Sequence, residues 1–547
     1  MQTFYGDHLL NSPYRFLQTG NWVAWLLILA FAILNLICVR RDFSLTTDED
    51  KHYLYGENIV SGDAARFDDS KMPITALNAI PKKLGSLLPD GRLREILSRF
   101  YVARAVTILF SCLLAYLVFY WSRSLYGVIP ALFSLTLYIL DPNIIAHSQL
   151  VATDLYVTAS ISLAYFTFWR FARSHRKIDA VFCVFALGLA QITKYTAIVL
   201  YPLFVINLLL VDWPDLVQRF RTGQAGRFFQ RYLLYAAFVA FGSAIVINIG
   251  FLFQGTFTSF GEYHFASAFF RKIQAALPVL ANLPIPTAYP YLQGLDLMQN
   301  TEATGVLAGN VYLLGRISTL HGFPGYYFVA YLLKVPLASQ IIIVCGLVHY
   351  FSKLEWKSLR ENEAFFLVPI LFFLIYFNFF FNTQIGIRYL LPIFPLMYVF
   401  AGSLFKEWAK FRLAEKLATG ILLSGLCLST FSYHPYYLSY FNELVWDRKT
   451  AYKYLADSNL DWGQGRKELE QYLQENPSVV YRSSKIQAGH IVVRVNDLVG
   501  VSTSPDQYAW LRENFEPADT IAYSYLIYDI TPADIETLCA TTVYCQP

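Results

Sequence analysis

The sequence predicts a mainly α, polytopic membrane protein of about eleven transmembrane helices, with amphipathic helices in an outward loop and a small C-terminal α/β domain. Three observations predict it. Of the 547 residues 56% are hydrophobic and only 15% charged, against roughly 25% charged in soluble domains. Apolar runs of about 20 residues recur along the chain. After residue 433 the pattern changes to short alternating runs separated by polar turns.

Membrane helices are expected at 20–39, 101–121, 127–141, 154–172, 179–193, 195–211, 232–254, 325–351, 364–381, 388–405 and 416–433. Lys194 and Pro202 interrupt an apolar stretch at 179–211, which is therefore divided in two. The first run, Trp22 to Cys38, has no small-x-small cleavage site after it and reads as a retained anchor. Basic residues fix the orientation. Arg170, Arg173, Arg176 and Lys177, then Arg219, Arg221, Arg227 and Arg231, then Lys353, Lys357 and Arg360, then Lys406, Lys410, Arg412 and Lys416 fall on one side of an eleven-helix count. That side is expected to be the cytoplasm, with the N-terminus there. Arg40 and Arg41 oppose Arg15 across the first helix and argue the other way, beside a loop long enough to weaken the rule.

Residues 1–433 are thus expected to form the membrane body, with outward loops at 40–100 and 255–324, and 434–547 an outward domain. In the first loop, Lys51 to Val60 and Ile74 to Leu88 have helical apolar spacing, with Tyr53, Leu54, Ile59 and Val60 on one face. Such helices suit a membrane surface. In the tail, Thr450 to Leu473 reads as an interrupted helix, 479–481, 491–495 and 520–528 as strands, and Gln507 to Phe515 as a helix. Cys539 and Cys545 lie six apart, a spacing that allows a disulfide. The net charge of +4 says little, no nucleic-acid motif is present, and the short basic loops leave no room for a nucleotide-binding domain. No N-x-Ser/Thr sequon with a non-proline middle residue occurs.

The chemistry-bearing residues cluster at outer helix ends. Thr46-Thr47-Asp48-Glu49-Asp50-Lys51-His52 follows the first helix directly. A half-sheltered carboxylate there can have its proton affinity tuned and act as a base, with a neighbour holding it. The competing reading is a solvated turn capped by Thr47 or Asp48. The turn from Asp141 to Asp154 contains His147 and starts a helix with an acid at the membrane surface. Lys194, Lys334 and Arg388 sit near outer helix ends, where an anionic lipid phosphate would need them. The alternative for each is snorkelling to headgroups. Arg388 is favoured, because a guanidinium can grip phosphate twice.

Taken in order, Asp48-Glu49-x-x-His52, Asp141-Pro142 to Asp154, Thr193-Lys194-Tyr195, Lys334-Val335-Pro336, Ile385 to Pro392, His434 to Glu443 and Asp457 to Gln464 resemble the GT-C superfamily. The resemblance is to its phospholipid-carrier-dependent branch, related to dolichyl-phosphate-mannose protein mannosyltransferases and the lipid A aminoarabinose transferase, and it spans about 20–465. It implies inverting transfer of a sugar from a polyprenyl-phosphate donor to a protein, lipid or glycan acceptor on the outer face of the membrane. It further implies Asp48 as base or acceptor-positioning group, Glu49 as its support, and Asp154 as the acid of the second outer turn. Arg388, with Lys194 and Lys334, would bind the donor phosphate. His52, His147, Asp457 and Asp461 are candidate acceptor or sugar contacts. No metal ligand set is assigned; the extra Asp50 leaves open whether a divalent cation assists. No run of β-trefoil domains is present, which argues against a eukaryotic-type protein O-mannosyltransferase; the lack of sequons favours a bacterial protein, expected in the inner membrane with a periplasmic tail. The competing classes are a transporter or flippase of lipid-linked sugars, which would carry inverted repeats, and a non-catalytic scaffold subunit.

Overall fold

The computed structural model describes residues 21–40, 44–305, 309–542 and 544–545; Arg15 and Arg41 lie outside them. It is an integral membrane protein built mainly of helices. In chain order α1 (Asn21–Arg40) is followed by α2 (Glu49–Ser61), α3 (Ala76–Ser86) and α4 (Arg92–Ser98) of the first loop, then α5 (Phe100–Tyr126), α6 (Val128–Ile139), α7 (Pro142–Ser148), α8 (Thr153–Ser174) and α9 (Lys177–Gln191). Next come α10 (Leu200–Val211), α11 (Trp213–Arg221) and α12 (Ala225–Gly250), then α13 (Ala268–Ala276) and α14 (Tyr289–Thr304) of the large loop. The body closes with α15 (Tyr326–Lys334), α16 (Leu337–Ser352), α17 (Trp356–Ser358), α18 (Ala364–Phe379), α19 (Phe394–Gly402) and α20 (Leu413–Phe431). Among the described residues six helical stretches are long and apolar enough to cross a membrane, or nine if three bent pairs each count as one span. All eleven expected segments are helical, but they do not all stand as separate full-length spans.

The main departure is at 325–351, expected as a single helix. It breaks into α15 and α16 at an angle of 113°. Pro336 has no N–H to give and forces Val335 to an extended conformation. The carbonyls freed by the break are met by side chains: Asn442 donates to Leu332 and Val335, Asn143 to Lys334, and Gln340 to Val335. Inside a bilayer a break without such partners would cost several kcal/mol. The division near Lys194 is observed, with α9 ending at Gln191 and a 3₁₀ turn opening at Tyr195.

In the first loop the inward face of α2 carries Tyr55, Gly56 and Ile59 rather than Leu54, which is 58% exposed. Gly56 is required there: a Cβ would stand 2.5 Å from the Thr75 carbonyl oxygen. On α3 and α4, Ile80, Leu84, Leu87 and Leu93 are exposed, the pattern of helices that rest on lipid.

After α20 the chain forms 3₁₀ turns and then α21 (Arg466–Glu475) packed on a four-stranded sheet. Strands β1 (Val311–Leu313) and β2 (Arg316–Ser318) pair earlier as a separate hairpin. The tail strands β3 (Val480–Tyr481), β4 (Gly489–Arg494), β5 (Asp519–Ile521) and β6 (Tyr525–Ile530) are ordered β3-β4-β6-β5, parallel only at β3–β4. The single strand expected at 520–528 is a hairpin instead, turned at Ala522 and Tyr523, both with positive φ. Cys539 and Cys545 are joined by a disulfide.

Candidate active site

Asp48 stands at the N-cap position of α2, yet its side chain makes no capping hydrogen bond. Glu49, the first residue of α2, instead turns back, its Oε2 accepting from the Thr46 backbone N–H at 2.9 Å. Glu49 is fully buried and saturated. Arg104 of α5 grips it through Nε at 2.9 Å and Nη2 at 2.6 Å, and the Val151 N–H donates to it at 2.9 Å. Glu49 therefore ties the first loop to α5 and to the second outer turn, and it does not line the cavity described below. Its neighbour Asp48 is left about a third exposed, its Oδ2 3.6 Å from Nη1 of Arg388.

Asp154 lies in the first turn of α8 and is buried. Its Oδ1 accepts from the Lys194 ammonium at 2.6 Å, and its Oδ2 is 3.7 Å from the same Nη1 of Arg388. One guanidinium thus faces two carboxylates from distant parts of the chain. It is fixed by stacking on Trp462, 4.1 Å from the ring centroid, and by Nε donating to the Ile385 carbonyl at 3.2 Å. The preceding Gly386 has φ +105°, and a Cβ there would fall 2.3 Å from the Ser458 hydroxyl, so only glycine fits. The tail pins this turn: Ser458 donates to Ile385, and Asn459 accepts from the Ile387 N–H at 2.9 Å. It also clasps the first loop, where the Thr47 N–H donates to the Trp462 carbonyl at 3.0 Å.

These groups form one end of a cavity of about 410 Å³. Asp48, His52, Lys71, Asp154, Lys194 and Arg388 line its polar end; Ile198, Val199, Phe373 and Phe377 line an apolar wall. Sequence reasoning missed Lys71, which has no ion-pair partner among the described residues. It reaches the site because the Ile74 N–H donates to the Ile192 carbonyl, pinning the stretch before α3 beside Lys194; no local pattern announces that contact. Tyr389 was also missed; its ring lies 4.1 Å from the Lys194 ammonium. Glu302 reaches the cavity too. Its carboxyl is raised by burial and accepts from the N–H groups of Asn382 and Thr383 and from the Thr383 hydroxyl.

His52 lines the cavity with its Nδ1 buried and without a hydrogen-bond partner. Burial, assisted by Lys71, pushes its imidazole down to about 4, so it is neutral at ordinary pH. His147 is buried behind the site against Trp462. Asp457, at φ +56°, lies beside Arg388, and burial raises its carboxyl against that cation; it does not line the cavity. Two expected contacts lie elsewhere. Lys334, at the break between α15 and α16, is buried, donates to the carbonyls of Leu438 and Asn459, and does not line the cavity. Asp461 is buried and held by Arg494 at 2.6 Å and by the Gly463 N–H at 3.0 Å. Among the described residues no group of three His, Cys, Asp or Glu side chains converges as a cation site.

The family model described as dolichyl-phosphate-mannose-protein mannosyltransferase matches residues 96–226, the stretch holding α5 to α11 with Asp154 and Lys194. The chain resembles the GT-C glycosyltransferases. Solved structures similar to it include ArnT from Cupriavidus metallidurans bound to undecaprenyl phosphate, 14% identical with a TM-score of 0.44, the match covering 75% of this chain and 63% of that one. The oligosaccharyltransferase AglB from Archaeoglobus fulgidus, in complex with an inhibitory peptide and dolichol phosphate, is 11% identical with a TM-score of 0.46, covering 83% and 60%. The chain thus spans less than two thirds of these proteins' lengths in those matches. No protein of curated function matches the sequence. At such low similarity the assignment of roles rests on the residues of the cavity itself.

Proposed function

We propose that this protein is a glycosyltransferase of the outer membrane face, moving a sugar from a polyprenyl-phosphate donor to a hydroxyl or amine of a protein, lipid or glycan acceptor. The observation that carries the reading is the meeting of Asp48, Asp154, Lys194 and Arg388 at the polar end of a cavity with an apolar wall. That amphiphilic shape suits a phosphate joined to a prenyl chain. At the polar end three cations, Lys71, Lys194 and Arg388, face the two carboxylates Asp48 and Asp154.

In this reading Asp48 takes the proton of the acceptor as its oxygen or nitrogen attacks the anomeric carbon. The bond from that carbon to the phosphate oxygen breaks, and the electron pair leaves with the phosphate. Attack opposite the leaving group inverts the anomeric configuration. Arg388, with Lys194 and Lys71, stabilises the charge that develops on the phosphate, while Asp154 and Trp462 hold Arg388 in place. Glu49 is a positioning residue that fixes the entry of α2. The setting in this reading is a bacterial inner membrane, favoured by the lack of sequons, with the tail on the periplasmic side, favoured by the basic-loop pattern.

The test gives the purified full chain and its Asp48→Asn variant a set of polyprenyl-phosphate sugars with a membrane extract as acceptor, followed by mass spectrometry. Donor consumption by the wild type and not by a folded variant supports the reading. Equal consumption by both removes Asp48 from the chemistry, and no consumption by either removes the glycosyltransferase reading.

A further inference from the structure

A second cavity lies away from the site. It is a groove of about 510 Å³ between α5, α8 and α9, lined by Phe110, Leu113, Leu117, Leu163 and Phe166 and ending at Arg170. A smaller cavity of about 170 Å³ continues from Arg170 past Thr167 to Asp179 and Phe182. Asp154 and Arg170 are sixteen residues apart on α8, about 24 Å along its axis. The hydrocarbon layer is about 30 Å thick, so Arg170 stands near the membrane face opposite the Asp48 site. From Ala159 to Arg170 the groove runs about 16 Å, close to the depth of one leaflet.

The charge at its mouth selects an occupant. Arg170, Arg173, Arg176 and Lys177 stand with a single carboxylate, Asp179, in the stretch 170–179. Asp179 is buried and shared between Arg170 at 3.0 Å and Arg176 at 2.9 Å, while Arg173, among the described residues, donates to the neutral Asn362. Two guanidiniums on one carboxylate, both partly exposed, leave positive charge facing outward. The Arg170 guanidinium lies over the ring of Phe166, which lines the groove, so charged mouth and apolar channel are continuous.

We propose that this groove binds one acyl chain of an anionic phospholipid, its phosphate held by Arg170 and Arg176 at the membrane face opposite the Asp48 site. Loop arginines that merely set orientation would need no channel beside them; here they cap one of leaflet depth.

The test is native mass spectrometry of the full chain, released from detergent after incubation with equimolar phosphatidylglycerol and phosphatidylcholine of identical acyl chains. The expected result is about tenfold preferential retention of phosphatidylglycerol, reduced to parity in the Arg170→Gln/Arg176→Gln double variant. Ala159→Phe, which fills the groove, should lower retention of both lipids. Glycerol phosphate, the headgroup without tails, should not displace the lipid. A measurement on the unaltered protein covers the case in which variants do not fold. Trp121 and Trp169 both pack against Phe166, so phosphatidylglycerol with brominated tails should quench tryptophan fluorescence more than brominated phosphatidylcholine. Equal retention and equal quenching of the two lipids would overturn the proposal, as would undiminished retention by Ala159→Phe.

Discussion

Replacing Arg388 with glutamine removes the one group placed against both site carboxylates. Its Nη1 lies 3.6 Å from Asp48 and 3.7 Å from Asp154. At that separation two unit charges interact by roughly 4–5 kcal/mol for an effective dielectric of 20, and solvent reduces the Asp48 share because that side chain is about a third exposed. The ground state keeps part of its order, since Lys194 still holds Asp154 at 2.6 Å. On the proposed mechanism the transition state does not, because the leaving phosphate would lose its forked donor. Loss of one such donor costs roughly 3–4 kcal/mol, or about 10²–10³ in kcat. Lysine at 388 restores a charge but neither the fork nor the stacking on Trp462, so Arg388→Lys should recover only about tenfold of that loss. The assay is single turnover of a polyprenyl-phosphate sugar by protein in lipid nanodiscs, with a thermal melt of each variant beside it. A glutamine variant with the wild-type melt and within about threefold of wild-type turnover would refute the reasoning. A loss of activity matched by collapse of the melt would make Arg388 a structural group.

The other predictions concern its neighbours. Glu49→Gln removes the buried carboxylate charge that Arg104 grips at 2.6 Å and should destabilise the protein by roughly 3–5 kcal/mol; an unchanged denaturation midpoint would show that the pair is not structural. Lys334→Met removes the donor to two buried carbonyls and should lower stability by roughly 2–4 kcal/mol, with donor KM unchanged in whatever fraction stays folded; a raised KM at full stability would return Lys334 to the phosphate. Because the His52 imidazole is pushed down from 6.5 to about 4, the unfolded chain binds a proton there that the folded chain refuses. Stability from this group is therefore complete above about pH 6.5 and is lost as pH falls toward 4. His52→Gln should flatten that part of the stability–pH curve, and a curve of unchanged slope would contradict the burial argument.

The helical segments were legible because each carries an apolar run, although among the described residues only six stretches are long and apolar enough to cross a membrane by themselves. The break between α15 and α16 was not read, although Pro336 was in plain view. Proline bends a membrane helix only as far as partners permit, and those partners, Asn442 and Asn143, lie far off in sequence. The same reason divides the site residues. Asp48, Asp154, Lys194 and Arg388 stand at helix ends, where position along the chain already implies depth in the membrane. Glu49, Lys334 and Asp461 stand at similar places, but their own neighbourhoods consume them as structural ties. Composition cannot tell a carboxylate buried as a tie from one that lines the cavity. Lys71 carries no signature at all, since only a hydrogen bond across 118 residues brings its segment to the cavity.

The clasp between Thr47 and Trp462 has a consequence for how the protein is made. The segment bearing Asp48 emerges early in synthesis, yet its backbone partner lies 415 residues later. The stacking surface under Arg388 comes from the same late residue. A ribosome that has made every helix up to α20 has therefore not yet completed the site; the tail must first be synthesised and dock. A fragment ending after α20 would hold both carboxylates and the arginine, yet lack the ring and the carbonyl that aim them. Chimeras between relatives should then work only when first loop and tail are exchanged together.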